Sequence, residues 1–327
     1  MARVLGYGAG MTSSNKHPGA PWRNFYGRLK GKTLRPAQET YLDEDLVALS
    51  PGPVDWEVNP DRVPLDLRAR FGEVPVWLEV GFGGGEHLVH QAATHPQVAI
   101  IGCEPFINGV AMLLGKIRAA GVSNLAVYPG DARNIFDVLP DGSVQKAFLL
   151  YPDPWPKTRH HRRRFVTQEH LVPLARVLAP GAEFRVATDI PDYVRQTLEE
   201  VPKYGFTWLA EGPEDWRTPW KDWTRTRYEA KAVREGRTVD QAKSLKQWFG
   251  LAFGDALVAA AKYHLHVHRG IMRTVNLVEK PGAFLKDKKI RNTVFRYMLF
   301  GRKKNAAARI QRGASRDDMI RTVCDPS

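Results

Sequence analysis

The stretch Val76-Trp77-Leu78-Glu79-Val80-Gly81-Phe82-Gly83-Gly84-Gly85-Glu86 decides the fold. Five residues rich in strand formers run straight into a glycine-rich turn, and the chain downstream changes from a two-residue to a helical period. Working outward, the pattern predicts a strand over 76–80, a helix over 86–95, a strand over 98–103, and a helix over 106–120 closed by Gly121. Further strands are expected at 125–128, 145–150 and 183–187, with helices over 168–178 and 192–201. Strand and helix alternate, which implies an α/β, Rossmann-like, doubly wound and mostly parallel sheet with helices on both faces. Ligands of such sheets bind beyond the carboxyl ends of the strands, so the chemistry belongs in the loops that follow them.

The first of these loops tests the kind of ligand. A dinucleotide fingerprint G-x-G-x-x-G beginning at Gly81 would need a small residue where Glu86 stands. A carboxylate at a helix N-terminus suits the helix dipole but repels a diphosphate, whereas S-adenosylmethionine is a sulfonium without phosphate. Two more acids follow the next two strands. Glu104 is placed to accept both ribose hydroxyls, and Asp131 to meet the adenine amine. Glu79, ending the first strand, is expected to face the cationic methionine portion.

After the fourth strand comes Tyr151-Pro152-Asp153-Pro154-Trp155-Pro156-Lys157-Thr158-Arg159-His160-His161-Arg162-Arg163-Arg164. Three prolines stiffen this loop and hold Asp153 and Trp155 at the cleft. The basic run behind them suits phosphates, and Trp155 suits stacking on a base.

Charge is distributed unevenly around this body. The net charge of +13 divides into +6 over residues 1–40, −5 over 41–240 and +12 over 241–327. Basic ends flanking a weakly acidic middle suit a polyanionic partner. The chain is 43% apolar and 25% charged, enough to bury a core, and its two cysteines, Cys103 and Cys324, show no metal or disulfide spacing. Met1 to Gly10 lacks the apolar core of a signal peptide, and no run approaches a membrane span, which points to the cytoplasm. We divide the chain into a basic arm and linker (1–60), a catalytic domain (61–240) and a basic extension (241–327).

Glu79-Val80-Gly81-Phe82-Gly83-Gly84-Gly85, Pro152-Asp153-Pro154-Trp155-Pro156-Lys157 with its basic tail, and Ala187-Thr188-Asp189 resemble, in order and spacing, the bacterial tRNA (guanine-N7-)-methyltransferase family. Thr226-Arg227-Tyr228-Glu229 is similar to the family's closing T-x-F-E motif, with tyrosine in place of phenylalanine. The resemblance covers roughly residues 23–238. It implies a class I methyltransferase fold, S-adenosyl-L-methionine as cofactor, and the variable-loop guanine of tRNA as substrate, with no membrane and no obligate protein partner. Position by position it implies that Glu79, Gly81, Gly83, Glu104, Asp131 and Asp153 contact the cofactor, that Asp153 is also the catalytic-site carboxylate, and that Lys157, Asp189, Thr226, Arg227, Tyr228 and Glu229 contact tRNA.

Guanine N7 presents a lone pair in the ring plane, so its methylation needs positioning rather than a strong base. Asp153 and Glu229 are accordingly cast as acceptors for the guanine N1–H and exocyclic amine. The alternatives are an amino-group methyltransferase, disfavoured by the single proline between Asp153 and Trp155, and a silent RNA-binding protein of the same fold. Beyond residue 237 the sequence departs from the family. The aromatic last strand is missing where it should stand, so either 245–253, with Trp248 and Phe249, supplies it late or the sheet lacks it. A helix is expected over 255–263, and His264, His266 and His268, which alternate, are not expected to bind metal.

Overall fold

The computed structural model describes residues 17–210, 215, 218–234 and 296–302. The expectations for 1–10, 245–253, 255–263, the three alternating histidines and Cys324 lie outside these residues. Seven strands form one sheet in the order β3-β2-β1-β4-β5-β7-β6. They are β1 (Val76–Val80), β2 (Ala99–Cys103), β3 (Leu125–Tyr128), β4 (Val144–Leu150), β5 (Leu178–Thr188), β6 (Phe206–Trp208) and β7 (Arg296–Arg302). The first five are parallel, and β7 runs antiparallel between β5 and β6. The helices are α1 (Pro36–Ala48), α2 (Leu67–Phe71), α3 (Glu86–Thr94), α4 (Ile107–Ala120), α5 (Ala132–Val138), α6 (Gln168–Val177), α7 (Pro191–Glu200) and α8 (Arg227–Arg234).

The near-continuous apolar runs of β1, β2 and β4 are those of strands covered on both faces. On one face Trp77, Ile100 and Phe148 pack with Leu88 of α3, Leu113 and Leu114 of α4, and Leu42 and Leu46 of α1. On the other, Leu78, Ala147, Phe184 and Val186 pack with Ile135 and Phe136 of α5, Leu171 and Leu174 of α6, and Tyr193 of α7. The sequence order reverses between β1 and β4, so their carboxyl ends leave a crevice between them.

The strand beside β5 comes from farther along the chain than the stretch that the sequence offered for it. The slot beside β5 is filled by Arg296–Arg302, inside the stretch separated as an extension. Phe184 stands opposite Phe300, and Val186 opposite Met298. Met298 and Phe300 are 1% and 0% exposed and join the same core as α5 and α6. The physical reason is an alternating, half-apolar strand whose side chains complete a face that would otherwise lie open. The arm assigned to residues 1–60 likewise carries α1, which packs on α4.

Candidate active site

The turn after β1 is built by glycines in the left-handed region, Gly81 (φ 71°) and Gly83 (φ 57°), where other residues are strained. A Cβ added at either would meet no atom within 4 Å, so both face open cleft space. Gly109 of α4 backs the same turn, for a Cβ there would come 2.3 Å from the Gly83 carbonyl oxygen. Glu104, at the end of β2, accepts from Gly83 N–H (2.8 Å) with one oxygen and from Phe106 N–H (2.9 Å) with the other. Each oxygen keeps a lone pair for a ligand hydroxyl. Burial raises the Glu104 carboxyl above its usual value, partly offset by those two N–H groups.

Asp131 is the N-cap of α5, accepting from Arg133 N–H at 2.9 Å. Burial alone would raise its pKa, but the hydrogen bonds and charge of Arg133 outweigh that and hold it below the usual carboxylate value. With Gly81, Gly83, Glu104 and Asp153 it lines a cleft of about 450 Å³ at the β1/β4 crevice. That size lies within the range of small-molecule sites. Glycines open to the cleft beside a buried, twice-bonded carboxylate suit a neutral ribose diol and an adenine amine, so the residues present fit S-adenosylmethionine.

Glu79 is held on the other side of the strand end from the cleft-lining residues. Its side chain is 2% exposed and does not line the cleft; Oε2 lies 2.7 Å from His87 Nδ1 on α3. An odd residue of β1, it shares the sheet face of Trp77 and α3, opposite to that of Val80, which does reach the cleft.

The loop after β4 is strained. Tyr151 and Trp155 adopt φ of 49° and 39°, unusual for residues with a Cβ and costing about 1–2 kcal/mol each. Arg164 compensates. Only 1% exposed, it donates to the Pro154 carbonyl (2.8 Å) and Gln196 Oε1 (2.8 Å) and pairs with Asp192 (2.8 Å). Arg163 lies over both Tyr26 and Trp155, 4.8 and 4.9 Å from their centroids. The basic run is therefore divided: Arg163 and Arg164 turn inward to hold the loop, while Lys157, Arg159 and Arg162 are exposed, with Asp153 exposed beside them.

The closing motif is a capping box. Glu229 Oε2 accepts from Thr226 N–H (2.8 Å) and Thr226 Oγ1 accepts from Glu229 N–H (3.2 Å), and Glu229 is 4% exposed. Tyr228 stacks on Tyr151 with centroids 4.9 Å apart, and its hydroxyl donates to Asp189 at 2.7 Å. Arg227 reaches Met112 of α4. The motif thus stands beside the cleft loop through Tyr151.

Sequence reasoning missed residues 24–28, which form one wall of the cleft, and Arg133, which holds them. Neither a period nor a motif marks them; their role exists only once α4 and α5 are placed.

A family model described as "Putative methyltransferase" matches residues 73–242. The chain is 76% identical over 224 residues to a tRNA (guanine-N(7)-)-methyltransferase of Jannaschia sp. (strain CCS1), covering 68% of this chain and 94% of that protein. It is 73% identical, with the same coverage, to the protein of that name from Ruegeria pomeroyi, and 50% identical over 217 residues, 65% of this chain and 84% of the relative, to the one from Rhodospirillum rubrum. Among the described residues no helix is long and apolar enough to cross a membrane.

Proposed function

This chain belongs to the tRNA (guanine-N(7)-)-methyltransferase family, and from that premise we propose how its cleft works. The protein is an S-adenosylmethionine-dependent enzyme that methylates N7 of a guanosine in tRNA. The bound cofactor supplies an electrophilic methyl group on a sulfonium. Glu104 accepts from the ribose diol, Asp131 from the adenine amine, and the Gly81 and Gly83 backbone leaves room for both. The observation that supports this assignment is the meeting of these residues and Asp153 on one cleft at the sheet's switch point.

Guanine N7 attacks with its in-plane lone pair and gives up no proton, so the enzyme needs no general base. Asp153, exposed at the rim, accepts from the guanine N1–H and amine, which fixes the base and favours the positive charge that develops on it. Glu229 shares its carboxylate with the capping box, so its part is to hold Tyr228 and Asp189 at the rim. Lys157, Asp189 and residues 226–228 meet the RNA. Glu79 supports the β1 turn from behind through His87. The target is the variable-loop guanosine, and the enzyme works in the cytoplasm.

The test is methyl transfer from labelled cofactor to unmodified tRNA, with chain, cofactor and RNA as the sole macromolecular and donor components, followed by nucleoside analysis. The expected product is 7-methylguanosine at one variable-loop position. Label on adenosine, on protein, or only after adding a cell extract would overturn the assignment.

A further inference from the structure

Arg133 is an arginine that no motif of the chain calls for. It stands in the first turn of α5, 3% exposed, and its guanidinium binds three elements at once. Nε donates to both Asp131 oxygens (3.0 and 3.1 Å), and Nη2 donates to Asp131 Oδ2 at 2.5 Å. Nη1 pairs with Glu169 of α6, and Nη2 also donates to the Asn24 carbonyl at 2.9 Å.

Asn24 begins the segment that walls the cleft. Before it, Arg23 is tied to Asn134 and Asp137 of α5, each at 2.9 Å. Beyond it, the Leu29 carbonyl accepts from Ile107 N–H (3.0 Å), and Asn108 bonds Gly31 and Lys32, each at 2.7 Å. Residues 24–28 are thus a strap running from α5 to the start of α4, along the cleft that Glu104 and Asp131 also line. Pinned at both ends, the strap is held between them by Arg163 over Tyr26 on the Trp155 side and, on the Asp131 side, by the guanidinium that also holds Asp131.

We propose that Arg133 is a positioning residue for the methyl donor: it aims the Asp131 carboxylate into the cleft and, through the Asn24 carbonyl, latches the strap over the adenosyl end. The proposal rests on the reading of this cleft as the S-adenosylmethionine site. A guanidinium can do this because it presents five donors in a rigid fork; a lysine can neutralise one carboxylate but cannot reach three acceptors in one geometry. Without the fork, two carboxylates face one another unbalanced and a strap carbonyl loses its donor. A residue that merely glued α5 to α6 would lower the melting temperature and leave cofactor affinity and the strap of the folded protein as they were.

The experiment compares the full chain with R133K, R133M and D131N. Affinity for S-adenosylhomocysteine is measured by calorimetry, KM for S-adenosylmethionine and kcat by methyl transfer, and tryptic cleavage after the exposed Arg28 and Lys30 by mass spectrometry. R133K, folded by circular dichroism, is expected to lose roughly tenfold in affinity for S-adenosylhomocysteine, the scale of a lost charge-assisted hydrogen bond. Its KM rises in parallel while kcat at saturation stays within about twofold, as for a lost ground-state contact. Its strap is cut faster without ligand and is no longer fully protected by saturating S-adenosylhomocysteine. D131N loses affinity but keeps the slow, wild-type cleavage of the free strap, because Arg133 still holds Asn24. If R133M fails to fold, R133K decides. Affinity and cleavage of R133K both at wild-type values overturn the latch. Absence of S-adenosylhomocysteine binding by the wild-type chain overturns instead the reading of the cleft on which it rests.

Discussion

Cutting the chain after Val239 removes β7 together with the whole +12 charge of residues 241–327, and the outcome decides what that stretch is for. If it were only a basic appendage, tRNA affinity would fall and its salt dependence flatten, by roughly one unit of logarithmic slope per lost phosphate contact, while the fold and cofactor affinity stayed. The structure argues otherwise. Among the described residues β7 is the sole pairing partner of β6, and it covers the edge of β5 over six residue pairs and buries Met298 and Phe300. Losing a buried methionine and a buried phenylalanine costs about 2–5 and 3–5 kcal/mol, against a typical total stability of 5–15 kcal/mol. The truncated chain should therefore unfold or melt far below the full chain, and cofactor and tRNA affinities should fall together. Phe300→Ala in the full chain isolates the packing from the charge: about 3–5 kcal/mol, or roughly 10 °C in Tm, with the salt slope of tRNA binding unchanged. Thermal unfolding, cofactor calorimetry and salt-dependent tRNA binding on the same preparations read all of this. A truncated chain that melts with the full one and binds cofactor normally would refute the placement of β7.

Three other predictions concern the cleft. Asp153→Ala should lower kcat by at least ~10²-fold, the scale of a lost transition-state acceptor, with the fold intact because Asp153 is exposed; turnover near the wild-type rate would contradict its role. Glu104→Ala should weaken S-adenosylmethionine by roughly 1–3 kcal/mol, measured by calorimetry, since two charge-assisted contacts to a ribose are lost. Burial, reinforced by Arg133, lowers the pKa of His170 to about 4. The folded pKa lies below the unfolded one, so the neutral histidine's stabilisation is full above pH 6.5 and is lost as pH falls from there toward 4. The side chain is partly exposed, so the loss is on the order of 1 kcal/mol between pH 7.5 and 4, and it should be absent in His170→Gln; parallel pH profiles of Tm for the two proteins would exclude it.

The central sheet was legible because its signals are local. The turn at Gly81 to Gly85 sets the end of β1 and the start of α3, and Gly121, left-handed at φ 64°, stops α4 where its sequence says it should. Glu104, Asp131 and Asp153 could be placed at the cleft for the same reason, each standing within three residues of a strand end. α5 was missed because it is only seven residues long, and α1 because only Leu42 and Leu46 of its thirteen residues are buried. β7 has a readable apolar run around Met298 and Phe300, but its partner strands lie far back in the sequence and no local rule names them. Charge misled at Arg163 and Arg164, where a basic run looks like a phosphate surface. Half-buried Arg163 lies over aromatic rings and buried Arg164 bonds a carbonyl, a decision made by the tertiary fold.

The position of β7 also fixes a timetable for synthesis. The outer edge of β5 is complete at Thr188, but the strand that covers it begins only at Arg296. Roughly a hundred residues must be added in between, which at about 5–20 residues per second takes on the order of 5–20 s. During that interval the nascent chain carries an unpaired parallel strand with Phe184 and Val186 uncovered, the kind of edge on which chains pair with one another. Ribosomes that stall or terminate anywhere in that interval release a product that is sticky rather than merely short. Yield in the cell should therefore respond to chaperone supply and translation speed more than the stability of the finished enzyme would suggest.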